Sequence, residues 1–382
     1  MLAAGSTAPY LSLRARCGGC DRASVDQAVL RDRSVVRVRG VRGEPLFVPR
    51  AQAMIAVAAK GRRIDARIRK IAKVVPISRG EVETLAMMVA EFLAERPATE
   101  ADMEEGLPAG MLRNFGTEGR RAGVPGVLPV ALEYLEEEGR VLHLDEGDRL
   151  DSEVRRYWLT EKALPDVTSP APDQLEVLPQ ALDFYLRSFG PARLEDFVWW
   201  AGTTLNRTRS AAEALDVSPV TVTVEGLEGE LAILADELES LLAFAVPDDP
   251  PDVALIPNRD PFYAGRKALT REFLDFDGPE RVLARFRGKP VAARVLPTVI
   301  VNGQVVGIWE WQPAEKRVVW AEFPPLEEGA SPLSSGVRAA VDREAACLAD
   351  YVCKELGGEI VLDPAERGTH WAYEVEEIRT FW

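Results

Sequence analysis

Between Arg79 and Thr160 the sequence passes through three helical segments, two of them with an apolar stripe, and then two short β-rich segments, and no other feature of the chain restricts its fold as much. Val82, Leu85, Val89, Phe92 and Leu93 fall on one helical face, and Pro97 ends that helix. Thr99 supplies the start signal of a short second helix. After a Gly/Arg-rich stretch at 113–126, Leu128, Leu132 and Leu135 mark a third helix that stops at Gly139. Val141–Leu144 and Arg155–Leu159 read as strands around an acidic loop. Three helices followed by a hairpin wing form a winged helix-turn-helix.

The order recurs over about 172–242. Leu178, Leu182, Tyr185, Leu186 and Phe189 make a first helix that Gly190 and Pro191 end; Leu194–Trp200 makes a second, and Thr204 caps a third. Val220, Val222 and Val224 alternate with Thr221 and Thr223 as one wing strand, and Leu231–Leu234 is the other. Nearer the start, a helical stretch from Ser24 leads into two short strands, Ser34–Gly40 and Leu46–Pro49, which is half of the same pattern. A Pro/Asp connector, Val246–Asp252, precedes a β-rich region in which Asn302-Gly303 supplies a type I′ turn. Arg317–Phe323 continues that meander, and a helix from about Pro332 to Leu356 packs on it. The expected fold class is α+β, with tandem winged helix-turn-helix units followed by a small antiparallel β-domain or partial barrel. The expected segments are 1–76, a basic winged-helix-like unit; 77–165 and 172–245, winged helices; and 252–382, the β-domain with its C-terminal helix.

Charge bears on the partner. The 382 residues carry a net charge of −15, which opposes binding to a polyanion. Residues 1–80, however, hold 17 Lys/Arg against 5 Asp/Glu, a basic end on an acidic body. This asymmetry fits a local anion-binding face, or charges that neutralise one another between segments. Four cysteines are too few for a disulfide scaffold. Cys17-Gly-Gly-Cys20 has the spacing of half a zinc site, or of a plain glycine turn, and no second pair completes it; Cys347, Cys353, His143 and His370 add no ligand pattern. No metal or cofactor is expected. Without an 18-residue apolar run or a secretory pattern at the N-terminus, no membrane association is expected and the location is expected to be cytoplasmic.

Four ordered blocks resemble a known family. Tyr185–Gly202 resembles a signature in which Gly-Pro precedes Asp-Phe-x-x-Trp, and Leu255–Arg266 looks like a Pro-x-x-Asp-x-x-x-x-Gly block. Thr298–Trp309 looks like a Val-x-Gly-x-x-x-Gly-x-Trp hairpin, and Ala8–Arg16 with Arg42-Gly43 and Val48-Pro49 resembles its N-terminal blocks. The family is the winged-helix DNA-binding proteins related to the AlkZ/YcaQ DNA glycosylases. The resemblance implies tandem winged helices and a β-domain around a concave DNA-binding surface. It also implies excision of alkylated bases or unhooking of crosslinks, with a Gln-x-Gln or Gln-x-Asp motif positioning water. Glycosidic cleavage needs such a group, because water must be aimed at an oxocarbenium-like sugar. Here the two motif positions are Ala3 and Gly5, whose side chains can do neither. Where the family often has Arg-Gly-Thr-x-His, this chain has Arg42-Gly43-Glu44-Pro45-Leu46.

Glu44 is the one catalytic candidate near that region; the alternative is a surface pair with Arg39 or Arg42. Arg37, Arg39 and Arg42 could follow a phosphate backbone along one hairpin face, or simply protect a strand edge by charge. Arg62, Arg63 and Arg67 extend the cluster with Arg69 and Lys70, unless the run is only the outer face of an amphipathic helix with Ile64, Ile68 and Ile71 inward. Arg207 and Arg209 lie on the third helix of the 172–245 unit, the helix that enters the major groove in such motifs. The corresponding helix of the preceding unit carries Glu133-Tyr134-Leu135-Glu136-Glu137-Glu138, which would repel phosphate. Trp199 and Trp200 read as core, and Asp260 as a loop or helix-end anchor. The leading functional reading is a winged-helix DNA-binding protein without the usual catalytic motif, whose partner is duplex DNA, damaged DNA included. The alternatives are an active DNA glycosylase for alkylated or crosslinked bases with a substituted catalytic residue, and a protein-interaction scaffold.

Overall fold

The computed structural model describes residues 7–40, 43, 45–121, 123–152, 154–224, 229–245, 250–258, 260–266, 283–286, 289–323 and 333–361. Helices α1 (Ala8–Arg14) and α2 (Arg22–Asp26) lead to the strands β1 (Val35–Arg39) and β2 (Pro45–Pro49). Then come α3 (Ala53–Ala59), α4 (Ile64–Ile71), α5 (Arg79–Glu95), α6 (Glu100–Gly106), α7 (Gly116–Arg121) and α8 (Val127–Glu137). The hairpin β3 (Val141–Asp145) and β4 (Arg155–Leu159) precedes α9 (Thr160–Ala163), α10 (Gln174–Phe189), α11 (Leu194–Ala201) and α12 (Leu205–Glu213). A second hairpin, β5 (Pro219–Val222) and β6 (Leu231–Leu234), is followed by α13 (Ala235–Ala243), β7 (Val253–Ile256) and α14 (Pro261–Ala264). The strands β8 (Leu283–Phe286), β9 (Lys289–Val295), β10 (Thr298–Val301), β11 (Gln304–Gln312) and β12 (Arg317–Glu322) precede the last described helix, α15 (Ser335–Glu355). This is an α+β chain with small antiparallel sheets. No described helix is long and apolar enough to cross a membrane.

Two compact units result, and they cut across the four expected segments. One holds Gln27–Ser188 and Phe197–Ser218; the other holds the residues up to Asp26, Phe189–Asp196 and those from Pro219 on.

The first unit is built on the stripe that the sequence announced. Val82, Leu85, Val89 and Leu93 of α5 are buried with Leu128, Leu132 and Leu135 of α8. Each such side chain removed from water contributes roughly 1.5–3 kcal/mol before chain entropy is counted. Ile64, Ile68 and Ile71 line the inner face of α4 and join the same cluster. Thr99 and Asp102 form a reciprocal capping box at the start of α6, and Ala98 pairs with Tyr157 as an isolated antiparallel bridge. A second cluster joins Val36, Val38, Val48, Met54 and Val57 to Leu142, Leu144 and Leu164. The Gly/Arg-rich stretch after Arg113 contains a helix, α7, that no apolar periodicity announces: its six residues bury only Gly119.

In the other unit, β7 adds to the expected meander, giving the order β12-β11-β10-β7. Asn302 and Gly303 both have positive φ, 48° and 83°, as a type I′ turn requires. Further along, Gly307 lies so close to β12 that an added Cβ would sit 2.1 Å from the Ala321 carbonyl oxygen. Trp309 is buried at the sheet centre, its indole N–H donating to the Ile256 carbonyl at 3.1 Å.

Candidate nucleic-acid interface

The basic hairpin and the acidic helix α8, far apart in the sequence, meet within the first unit. Arg39 Nε lies 3.1 Å from Glu136 and Nη1 lies 3.8 Å from Glu133. Arg37 donates to the His143 carbonyl at 3.1 Å, and its Nε is 4.0 Å from Asp145. Burial lowers the pKa of Arg37, and Asp145 and Glu136 only partly offset that. The same burial pushes the Glu136 and Asp145 carboxyls up, against the pull of the arginines. Beside them, Arg67 pairs with Glu133 at 3.5 Å and Lys60 with Glu137 at 3.6 Å. Much of the N-terminal positive charge is therefore neutralised inside the unit. Arg37, Arg39 and Arg67 hold carboxylates of this chain; Arg42 lies outside the described residues.

A different set of cations stays open. Arg62, Arg63, Arg207 and Arg209 are exposed and have no ion-pair partner among the described residues. Two of them, Arg62 and Arg207, line one depression, and Arg63 follows Arg62 at the start of α4. Glu137 accepts the backbone N–H groups of Arg63 and Ile64 at 2.9 and 2.8 Å, which caps α4 and fixes the turn carrying Arg62. Arg63 passes over Gly202, where an added Cβ would come 1.8 Å from its guanidinium nitrogen. Gly202 has φ +65°, so a side chain there would be strained as well as crowded. Thr204 caps α12 by accepting from Arg207 N–H at 3.4 Å. Arg62 and Arg207 then line a depression of about 370 Å³ together with Gly61, Glu137, Asp173 and Gln174. Gln174 ties the ends of α3 and α11 together by donating to the carbonyls of Ala59 at 2.7 Å and Ala201 at 3.2 Å. Arg209 sits on exposed α12, outside that lining.

Sequence reasoning alone does not single out Glu137 or Gln174. A signal for Glu137 is nevertheless present: Glu133, Glu136 and Glu137 share a face at i, i+3 and i+4, and that face turns inward to the arginines and Lys60. Trp200 is buried against Phe184, Tyr185 and Phe197, as expected of a core residue. All four cysteines are free, and no cluster among the described residues has the makings of a metal site.

Comparison with known proteins supplies the lineage. The family model described as "DNA glycosylase AlkZ-like" matches residues 3–351. The chain belongs to the AlkZ-like DNA glycosylase family. Its fold is similar to that of the Streptomyces sahachiroi DNA glycosylase AlkZ, with a TM-score of 0.70 over 91% of this chain and 87% of that one, at 22% identity. No curated protein matches the sequence.

Several blocks that carry the AlkZ-like resemblance have structural explanations here. Asp260 is fully buried, accepts Phe262 N–H at 2.8 Å to cap α14, and takes both terminal nitrogens of Arg16, at 2.8 and 2.5 Å. It anchors a loop, as its sequence position suggests. Tyr10 donates to buried Asp26 at 2.5 Å, and Arg22 pairs with the same carboxylate. The positions of the usual water-orienting motif, Ala3 and Gly5, and the substitute candidate Glu44 lie outside the described residues.

Proposed function

We propose that this AlkZ-like chain binds duplex DNA through the Arg62, Arg63 and Arg207 cluster. The observation carrying this reading is that segments about 140 residues apart in sequence bring open guanidiniums to one depression. Neighbouring cations are consumed by carboxylates of the chain itself. Open arginines beside a helix N-terminus suit phosphate oxygens, and each phosphate neutralised releases counterions. In this reading α5, α6, α8 and the β3–β4 hairpin form a winged helix-turn-helix whose third helix serves the interior. Along the chain, α10–α12 followed by β5–β6 repeat that order of elements, with Arg207 and Arg209 on the exposed helix α12. A basic winged-helix-like segment precedes them.

The chemistry is the second part of the proposal. With Ala3 and Gly5 at the motif positions, those side chains neither orient water nor stabilise an oxocarbenium-like sugar. The chain then binds DNA without the family's usual catalytic group. One observation favours an active enzyme as the second reading. Gly43 and Pro45, the neighbours of Glu44, line a small polar pocket of about 50 Å³ with Arg37, Arg39, Glu136 and His143. It is large enough for a water molecule.

Labelled duplexes that are intact, alkylated or crosslinked separate the two. Retention without base release is expected on all three. Base release abolished by Glu44→Gln or Glu136→Gln would establish the second reading, and absence of retention at low salt would remove both.

A further inference from the structure

A second concavity lies in the same unit, lined by a different set of residues from the cationic depression. It has a volume of about 470 Å³, within the ordinary range for small-molecule sites. Interiors are otherwise close-packed, so a space of this size beside a core is a feature to be explained. One wall is aromatic: Phe184 and Trp200, with ring centroids 6.4 Å apart and tilted by 32°. Leu46, Val48 and Ile55 add aliphatic surface to the lining.

The polar groups are acceptor-rich. Gln52 lines the cavity, and its amide oxygen is buried without a hydrogen-bond partner. Leaving such an acceptor unpaired costs about 1–3 kcal/mol, which a donor on a bound molecule would recover. The terminal amide torsion of glutamine is soft, so the oxygen can turn toward such a donor. Asp183 and Asp216 also line the cavity, against the single cation Arg187, which pairs with Asp183 at 3.1 Å. The flat aromatic wall favours a planar ring, the unpaired Gln52 oxygen favours an N–H group, and two carboxylates against one guanidinium disfavour an anion.

We infer that this cavity binds a planar heteroaromatic molecule of nucleobase size that carries N–H donors and is neutral or cationic. The site involves none of the arginines of the proposed DNA interface, so the inference stands or falls separately from that reading.

Ligand-observed NMR with the full chain tests it, using four probes: adenine, uracil, dihydrouracil and orotate. Dihydrouracil keeps the N–H groups of uracil and loses its flat ring; orotate adds a negative charge. Adenine and uracil should bind saturably, with dihydrouracil and orotate about tenfold weaker. Ala56→Phe, which fills the cavity from α3, should weaken adenine and uracil at least about tenfold, and Gln52→Leu by roughly three- to tenfold. Thermal unfolding checks that each variant is folded, and duplex retention should be unchanged in both. No saturable binding of adenine or uracil by the unaltered chain overturns the inference. So does binding that neither folded variant weakens, or equal binding of uracil, dihydrouracil and orotate.

Discussion

Glu137 holds the backbone of Arg63: its Oε2 accepts the Arg63 N–H at 2.9 Å, while Oε1 lies 3.6 Å from the ammonium of buried Lys60. One acidic side chain on α8 thereby connects the neutralised interior to the open cations. Glu137→Ala should destabilise the chain by about 3–5 kcal/mol, because it strands a buried ammonium and two backbone N–H groups. Glu137→Gln keeps the acceptor and loses the charge, so it should cost less. Urea unfolding of both variants measures the difference; equal losses would mean that the backbone bonds contribute little.

Arg37 and Arg62 are indistinguishable as sequence candidates, and the structure assigns them opposite surroundings. Arg37→Ala should lower stability by roughly 3 kcal/mol, because Asp145 stays buried without its arginine. Arg62→Ala, at an exposed site without an ion pair, should change stability by less than about 0.5 kcal/mol. Unfolding curves and duplex retention, measured on the same preparations, should move in opposite order for the two variants.

His143 is stacked on Tyr157, centroids 4.0 Å apart and 7° from parallel. Burial, and then the nearby charges of Arg37, Arg155 and Arg39, push its pKa down to about 3. A histidine that is neutral when folded and titrates near 6.5 when unfolded leaves the unfolded chain with more protons between those values. Its contribution is complete above pH 6.5 and is lost as pH falls toward 3. The raised carboxyls of Glu136 and Asp145 act in the opposite sense, since the folded chain then binds the extra proton. The difference between the unaltered chain and His143→Phe isolates the imidazole: the variant should show a shallower stability loss over that interval.

Gly202→Ala should cost about 1–2 kcal/mol from the left-handed backbone alone. The new methyl group also displaces the Arg63 guanidinium, so duplex retention should fall beyond what Arg63→Ala itself causes only if Arg62 or Arg207 moves too. A thermal melt and a retention assay on the two variants together check this.

Much of the architecture is legible in the sequence because it is local. The stripe of α5, the capping box Thr99/Asp102 and the Asn302-Gly303 turn are each set by residues within one or two turns of chain. α7 is not legible, because six Gly/Arg-rich residues that bury a single glycine have no apolar period. The division into units is hidden for another reason. The pairing of Arg16 with Asp260 joins residues 244 apart in the sequence, and no spacing encodes such a contact. At the candidate site, the sequence marks which residues are cationic but not which of them are already neutralised. Arg39 and Arg62 differ only in what lies opposite, and for Arg39 that is a helix almost a hundred residues downstream.

The central claim is that DNA binding runs through Arg62, Arg63 and Arg207. The most direct test is the salt dependence of duplex affinity, measured for the unaltered chain, for Arg62→Ala/Arg63→Ala/Arg207→Ala, and for Arg39→Ala. If these guanidiniums neutralise phosphates, the slope of log affinity against log salt should shrink by about 0.9 for each phosphate left without its arginine, and Arg39→Ala should keep the original slope. A triple variant that binds with the unaltered slope, or an Arg39→Ala variant whose slope shrinks as much, would contradict the account.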